Sequence, residues 1–230
     1  MNFPGHHPVV LGTVITAPGL RLLSRQSLPC DAVEVRVDAL LAAKVSAETI
    51  EAALANRKHP VLITLRIPPE GGHRPWKVKE RRELYLQLLP HADAIDVELA
   101  TAKAMQPVIA EARRLAKTII FSAHAIKKPA PPAQIARWVA QFDHQPRTIL
   151  KIAAQIKSWR DLQQLAALLV NHPEWPLAVM GLGPYAGQSR SVLTALGSRL
   201  VYGYLDQAAA PGQPSAADVR KMAAAVKLAK

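Results

Sequence analysis

The sequence predicts a parallel (β/α)8 TIM barrel, and three observations point to it. Eight short apolar runs rich in β-branched residues recur along 230 residues. Segments with helical spacing separate them, and no long linker, solenoid-period repeat or low-complexity tract breaks the alternation. Parallel strands need crossover helices, and closing the sheet removes its exposed edges. The competing arrangement is a doubly wound open sheet. It is weakened because Gly12-Thr13-Val14 stands where that fold has its glycine-rich phosphate turn. The chain is expected to form one domain over residues 1–230, a common size for a single α/β barrel.

In order, the strands are expected at Val9–Ile15, Ala32–Val37, Val61–Ile67, Ala94–Leu99, Thr118–Ser122, Thr148–Ala153, Leu177–Met180 and Arg199–Tyr204. Ser46 is placed to cap a helix over Ala47–Arg57, and Leu84, Leu88 and Leu89 mark one face of a helix over Val78–Leu89. Pro107 fits the first turn of a helix running to Lys117. Ser158 with Asp161, and Ser215 with Asp218, have the spacing of capping boxes before the later helices.

Composition narrows the function. Cys30 is the only cysteine, which excludes an internal disulfide framework and a cysteine zinc cluster and suits a reducing cytoplasm. The opening MNFPGHHPVV has no basic stretch followed by a long apolar one, and no apolar run reaches the roughly 20 residues of a membrane span. The expectation is a soluble cytoplasmic protein with no membrane partner. Lys and Arg number 29 against 17 acidic residues, a formal charge of +12. The basic residues are scattered, however, and the densest cluster, Lys77–Arg82, reads as a solvated helix face. With aromatics at 5% and no nucleic-acid motif, no nucleic-acid partner is expected. Positive charge also steers small anions.

In a barrel the chemistry gathers at the carboxyl ends of the strands. Lys151 sits inside the β-branched run TILKIA, where an ammonium loses water unless it is paired; a lysine so placed is a candidate Schiff-base nucleophile. The rival reading is a lysine that snorkels to solvent. His124, in Ser122-Ala123-His124, ends the neighbouring strand and is the candidate general base. Glu34, Arg36 and Asp38 alternate with valines, which puts all three on one face if the strand runs through them. Arg66 lies at the end of the third run, which leads into Glu70-Gly71-Gly72; it fits a ligand or Glu34 equally well. Asp96 and Glu98 lie on the fourth strand. A glycine-rich loop from Met180 to Arg190 offers backbone N–H groups and a guanidinium to a carboxylate or phosphate. Gln213, in the turn-prone segment Ala210–Pro214, is placed to cover the mouth.

Together these motifs resemble the type I 3-dehydroquinate dehydratase family. The family's E-x-R-x-D is matched at Glu34, Arg36 and Asp38, its arginine with E-G-G at Arg66 and Glu70–Gly72, and its S-x-H at Ser122 and His124. Its K-I-A falls at Lys151–Ala153, its M-G…S-R loop at Met180, Gly181, Ser189 and Arg190, and its A-P-G-Q at Ala210–Gln213. Ala125-Ile126 and Ala209 depart from the family's usual residues. The resemblance implies a homodimeric barrel enzyme of the shikimate route. It would dehydrate 3-dehydroquinate to 3-dehydroshikimate with no dissociable cofactor and no metal. Lys151 would form the imine and His124 move the protons, while Glu34, Arg36, Arg66, Arg190 and Gln213 hold substrate and Glu70 or Asp96 orients the imidazole. The alternatives are another class I Schiff-base lyase such as an aldolase, or a weakened anion-binding homologue.

Overall fold

Each apolar run becomes a strand, and all eight join one parallel sheet. The computed structural model describes residues 8–208 and 212–226. The strands are Val9–Val14 (β1), Ala32–Arg36 (β2), Val61–Thr64 (β3), Ala94–Glu98 (β4), Thr118–Ala125 (β5), Thr148–Gln155 (β6), Leu177–Leu182 (β7) and Leu200–Tyr204 (β8). Neighbours follow chain order from β1 to β7, and β8 returns to pair with β1. Between β7 and β8 there is no ladder. That seam is closed by the Arg199 N–H on the Leu177 carbonyl at 2.8 Å, and by Ser198 Oγ, which accepts from Val179 N at 2.9 Å and donates to Val179 O at 3.1 Å. The result is a nearly closed (β/α)8 barrel.

The helices among the described residues are Ala17–Leu20 (α1), Val37–Ala42 (α2), Ala47–Ala55 (α3), Val78–Leu88 (α4), Gln106–Arg114 (α5), Pro132–Ala140 (α6), Trp159–Asn171 (α7), Ala186–Ala195 (α8) and Ala216–Ala225 (α9). Ser46 caps α3 by accepting from Thr49 N, and Pro107 sits in the first turn of α5, where a missing N–H leaves no bond unmade. Ser158 and Asp161 form a reciprocal capping box at α7. At α9 Ser215 accepts from Asp218 N and also bonds the Asp218 carboxylate at 2.6 Å. Gly203 lets α9 lie close against β8, because a Cβ there would stand 2.7 Å from the backbone of Ala216.

The carboxyl ends of most strands differ from expectation, those of β1 to β4 being shorter and those of β5 to β7 longer. β2 stops at Arg36 and Val37 begins α2, so Asp38 is not on the strand; it accepts from Arg36 Nε at 2.9 Å and Nη2 at 2.8 Å. β3 stops at Thr64 because the next N–H groups go to side chains: Leu65 N to Tyr85 Oη at 3.2 Å and Ile67 N to Glu98 Oε1 at 3.1 Å. β5, β6 and β7 run on instead, pairing His124 with Ala153 and Ala154 with Gly181.

Alternation along the strands sorts the core into two parts. One face packs against the helices in a continuous cluster that includes Val35, Ile63, Val97, Leu150 and Ile152. The other face fills the barrel, where Val9, Ala32, Leu62, Ala94, Ile120, Ile149, Ala178 and Leu200 give one apolar residue from each strand. Two residues further along, the same face carries Glu34, Thr64, Asp96, Ser122, Lys151, Met180 and Tyr202. The interior is therefore layered, with an apolar floor and a polar storey above it toward the carboxyl ends.

Candidate active site

That polar storey lines a cavity of about 430 Å³ at the carboxyl end of the barrel. Its walls include Glu34, Arg36, Glu70, His124, Lys151, Arg190, Tyr202 and Gln213. A groove of about 500 Å³ between α6 and α7 is larger, but it holds none of the inward-facing strand residues.

Lys151 is 4% exposed. Its Nζ donates to Asp96 Oδ2 at 3.0 Å, has Glu34 Oε1 at 3.8 Å and stands 4.2 Å from the centroid of the Tyr202 ring. The amine is shielded from water, as its apolar run implied, yet it is supplied with counter-charge. This excludes the solvent-snorkelling alternative. Asp96 is the hub: Ser122 Oγ donates to it at 2.5 Å and Arg66 Nη2 lies 2.9 Å from it. Burial pushes its carboxyl up, but the Arg66 and Lys151 cations outweigh burial and hold it well below the usual carboxylate range.

Arg66 does not reach the cavity. Its guanidinium is used by Asp96, by Glu98 at 3.1 Å and by Ser122 Oγ at 2.7 Å. Glu98 is also paired with Arg81 from α4. Arg66 therefore fixes the acids that fix Lys151, with Asp96, Glu98 and Ser122 and not Glu34 as its partners. Glu34 instead accepts from Thr13 Oγ1 at 3.0 Å and Thr64 Oγ1 at 2.9 Å. Arg36 lines the cavity while anchored to Asp38 and to the Gly71 carbonyl at 3.0 Å.

His124 faces the same cavity, and Glu70 is the carboxylate that orients it: Nδ1 lies 2.8 Å from Glu70 Oε2. Asp96, the other candidate, is occupied with Lys151. Glu70 is aimed by the Glu70-Gly71-Gly72 turn. Gly71 has φ +91°, and a Cβ on Gly72 would fall 2.1 Å from the Arg66 carbonyl oxygen, so both glycines are required. Burial, with the Arg66 and Lys151 cations, pushes the imidazole well below its ordinary pKa. Burial also raises the Glu70 carboxyl to about 7, against the pull of Arg66. Both shifts favour the neutral forms, and the two groups are held together by a hydrogen bond. With Nδ1 engaged, Nε2 is the nitrogen left for chemistry.

Arg190 enters from α8, and burial alone lowers its pKa; no carboxylate among the described residues compensates its charge. Its Nη1 is buried without a hydrogen-bond partner there. Gln213 lines the cavity, while Ala209, Ala210 and Pro211 of the expected lid lie outside the described residues. Those residues contain no cluster of three or more His, Cys, Asp or Glu placed to hold a metal, and no helix long and apolar enough to cross a membrane.

A sequence model of the family described as Type I 3-dehydroquinase matches residues 17–229. The chain belongs to the type I 3-dehydroquinase family. It is 30% identical over 185 residues to the 3-dehydroquinate dehydratase of Aquifex aeolicus, covering 80% of this chain and 82% of that one. To the corresponding protein of Methanosarcina acetivorans it is 30% identical over 202 residues, with 84% of each covered. The crystal structure of 3-dehydroquinate dehydratase from Geobacillus kaustophilus superimposes with a TM-score of 0.83 at 23% identity, over 95% of this chain and 91% of that one. The Clostridium difficile type I enzyme gives 0.80 at 20%, over 96% and 93%. At such identities the structural likeness establishes the barrel.

Two residues of this type I 3-dehydroquinase site escaped the sequence reading. Tyr202 counted as one more apolar residue of the eighth run, although it shares the inward parity of Leu200. Thr13 was hidden in a strand of valines, although it bonds Glu34. For Tyr202 the available signal was alternation along β8; for Thr13 it was its place two residues beyond inward-facing Leu11.

Proposed function

We propose that this type I 3-dehydroquinase dehydrates 3-dehydroquinate to 3-dehydroshikimate through an imine on Lys151. The observation that carries the reading is a water-shielded amine and a carboxylate-oriented imidazole in one cavity, beside a guanidinium with no acidic partner among the described residues. Lys151, as the free amine, adds to the C3 ketone and water leaves, giving a protonated imine that draws electrons from C2. His124 Nε2 takes the C2 proton, and Glu70 on Nδ1 steadies the imidazolium that forms. The enamine expels the C1 hydroxyl, which receives that proton and departs as water. Hydrolysis of the imine then returns Lys151. The Asp96, Ser122 and Arg66 network holds Nζ in register, Arg190 takes the substrate carboxylate, and Glu34 and Arg36 hold ring hydroxyls with Gln213 over the mouth.

The reading includes one catalytic barrel over residues 1–230, working in the cytoplasm as a homodimer. A single buried cysteine and the family's habit support these two points; sedimentation would test the second. The chemistry is tested by trapping. Incubation with 3-dehydroquinate and borohydride is expected to leave a reduced adduct on Lys151 by peptide mass spectrometry, with enone absorbance appearing in its absence. A protein that turns over substrate without that adduct, or does neither, defeats the assignment.

A further inference from the structure

Tyr202 is 7% exposed on β8, and its Oη is buried with no hydrogen-bond partner among the described residues. A phenylalanine would fill the same space and support the Lys151 ammonium equally well through its ring face. The hydroxyl is thus an addition that weakens the folded state unless something in the cavity bonds it, because a buried unsatisfied donor loses its water and gains nothing. Burial, together with the negative charges of Glu34 and Asp96, raises its pKa well above the ordinary value, so it keeps its proton and serves as a donor.

Its reach is defined by the ring. Nζ of Lys151 lies over the ring at 4.2 Å from the centroid. Oη stands one ring radius and one C–O bond out from that centroid, which puts it within about two hydrogen-bond lengths of Nζ. A carbon bonded to Nζ, and the next carbon of a substrate ring, bring a hydroxyl into that interval. Glu34, also lining the cavity, can only accept, so a hydroxyl that donates to it keeps its own oxygen free to accept from the Tyr202 hydroxyl.

We infer that Tyr202 is a specificity-determining residue whose hydroxyl bonds the substrate hydroxyl on the carbon next to the imine carbon. The inference rests on the imine reading above and deepens it. Tyr202→Phe separates the two. With 3-dehydroquinate the variant is expected to form the Lys151 adduct but to lose about three- to tenfold in kcat/KM, the worth of one net hydrogen bond. Its melting temperature should rise by a few degrees, because the unsatisfied oxygen is gone. With the analogue lacking that single ring hydroxyl, wild type and variant should have equal kcat/KM. Unchanged kcat/KM on the natural substrate, or the same loss on the deoxy analogue, overturns the role of Tyr202 and leaves the imine reading standing. Absence of the Lys151 adduct in the wild type overturns both.

Discussion

The two sides of this barrel interior solve opposite problems. On the β3 to β6 side the buried charges are paired: Arg66 with Asp96 and Glu98, Arg81 with Glu98, and Lys151 with Asp96. On the β7 to β8 side the ladder is missing, and the buried polar atoms left without partners among the described residues, Arg190 Nη1 and Tyr202 Oη, both come from there. The first side is finished without a ligand; on the second, two buried polar atoms still have bonds to make among the described residues. A saturated network places atoms, because moving any member breaks several bonds, whereas an unsaturated one binds, because its bonds are still to be made. In the proposed mechanism, placement of the nucleophile and recognition of the anion thus fall to different strands.

The predictions that test this division run from the largest effect to the smallest. Lys151→Ala is expected to abolish adduct formation and to lower kcat by on the order of 10⁴-fold or more, measured by enone absorbance. His124→Ala should still give a trapped adduct while kcat falls by about 10²- to 10⁴-fold; an undiminished rate would remove the imidazole from the proton path. A matched pair then probes the comparison itself. Arg66→Met removes one of the two cations paired with each of the buried carboxylates Asp96 and Glu98 and should cost about 3–5 kcal/mol in urea unfolding. Arg190→Met removes a guanidinium with no acidic partner among the described residues, so its stability should hold while KM rises about 10- to 100-fold, the range of a charge-assisted bond. Equal destabilisation by the two variants would break the comparison.

Glu70 sharpens it through pH. Because its folded-state carboxyl is raised to about 7, the His124 and Glu70 pair sheds its extra proton near that pH. In the proposed mechanism kcat/KM therefore rises with pH through about 7, and Glu70→Gln should erase that limb. Stability runs the other way. A carboxyl whose folded pKa lies above the unfolded value contributes stability that is complete below about 4.3 and lost as pH rises through about 7. Glu70→Gln should thus raise the melting temperature at pH 8 relative to wild type by more than it does at pH 4.

The repeating units were legible because β-branched runs and helix caps are local signals: Ser46, Pro107 and Ser158 act where their spacing put them. The strand ends were not. Glu34-Val35-Arg36-Val37-Asp38 keeps strand-like alternation through a point where the chain turns into α2, and only the grip of Asp38 on Arg36 reveals the turn. The cast of the site was readable from motifs, but its internal wiring was not. Whether Glu70 or Asp96 serves His124, and whether Arg66 meets a ligand or other side chains, depends on which strands face each other across the interior. No single run encodes that. Tyr202 was passed over because its importance lies in one oxygen, and hydropathy weighs the whole ring.

The apolar floor has a consequence of its own. With a hydrophobic residue from every strand plugging the amino end, the site is a well that opens toward the carboxyl ends of the strands. Gly71 and Gln213 both line this well, so a molecule lodged between them obstructs the way to the amine below without touching it.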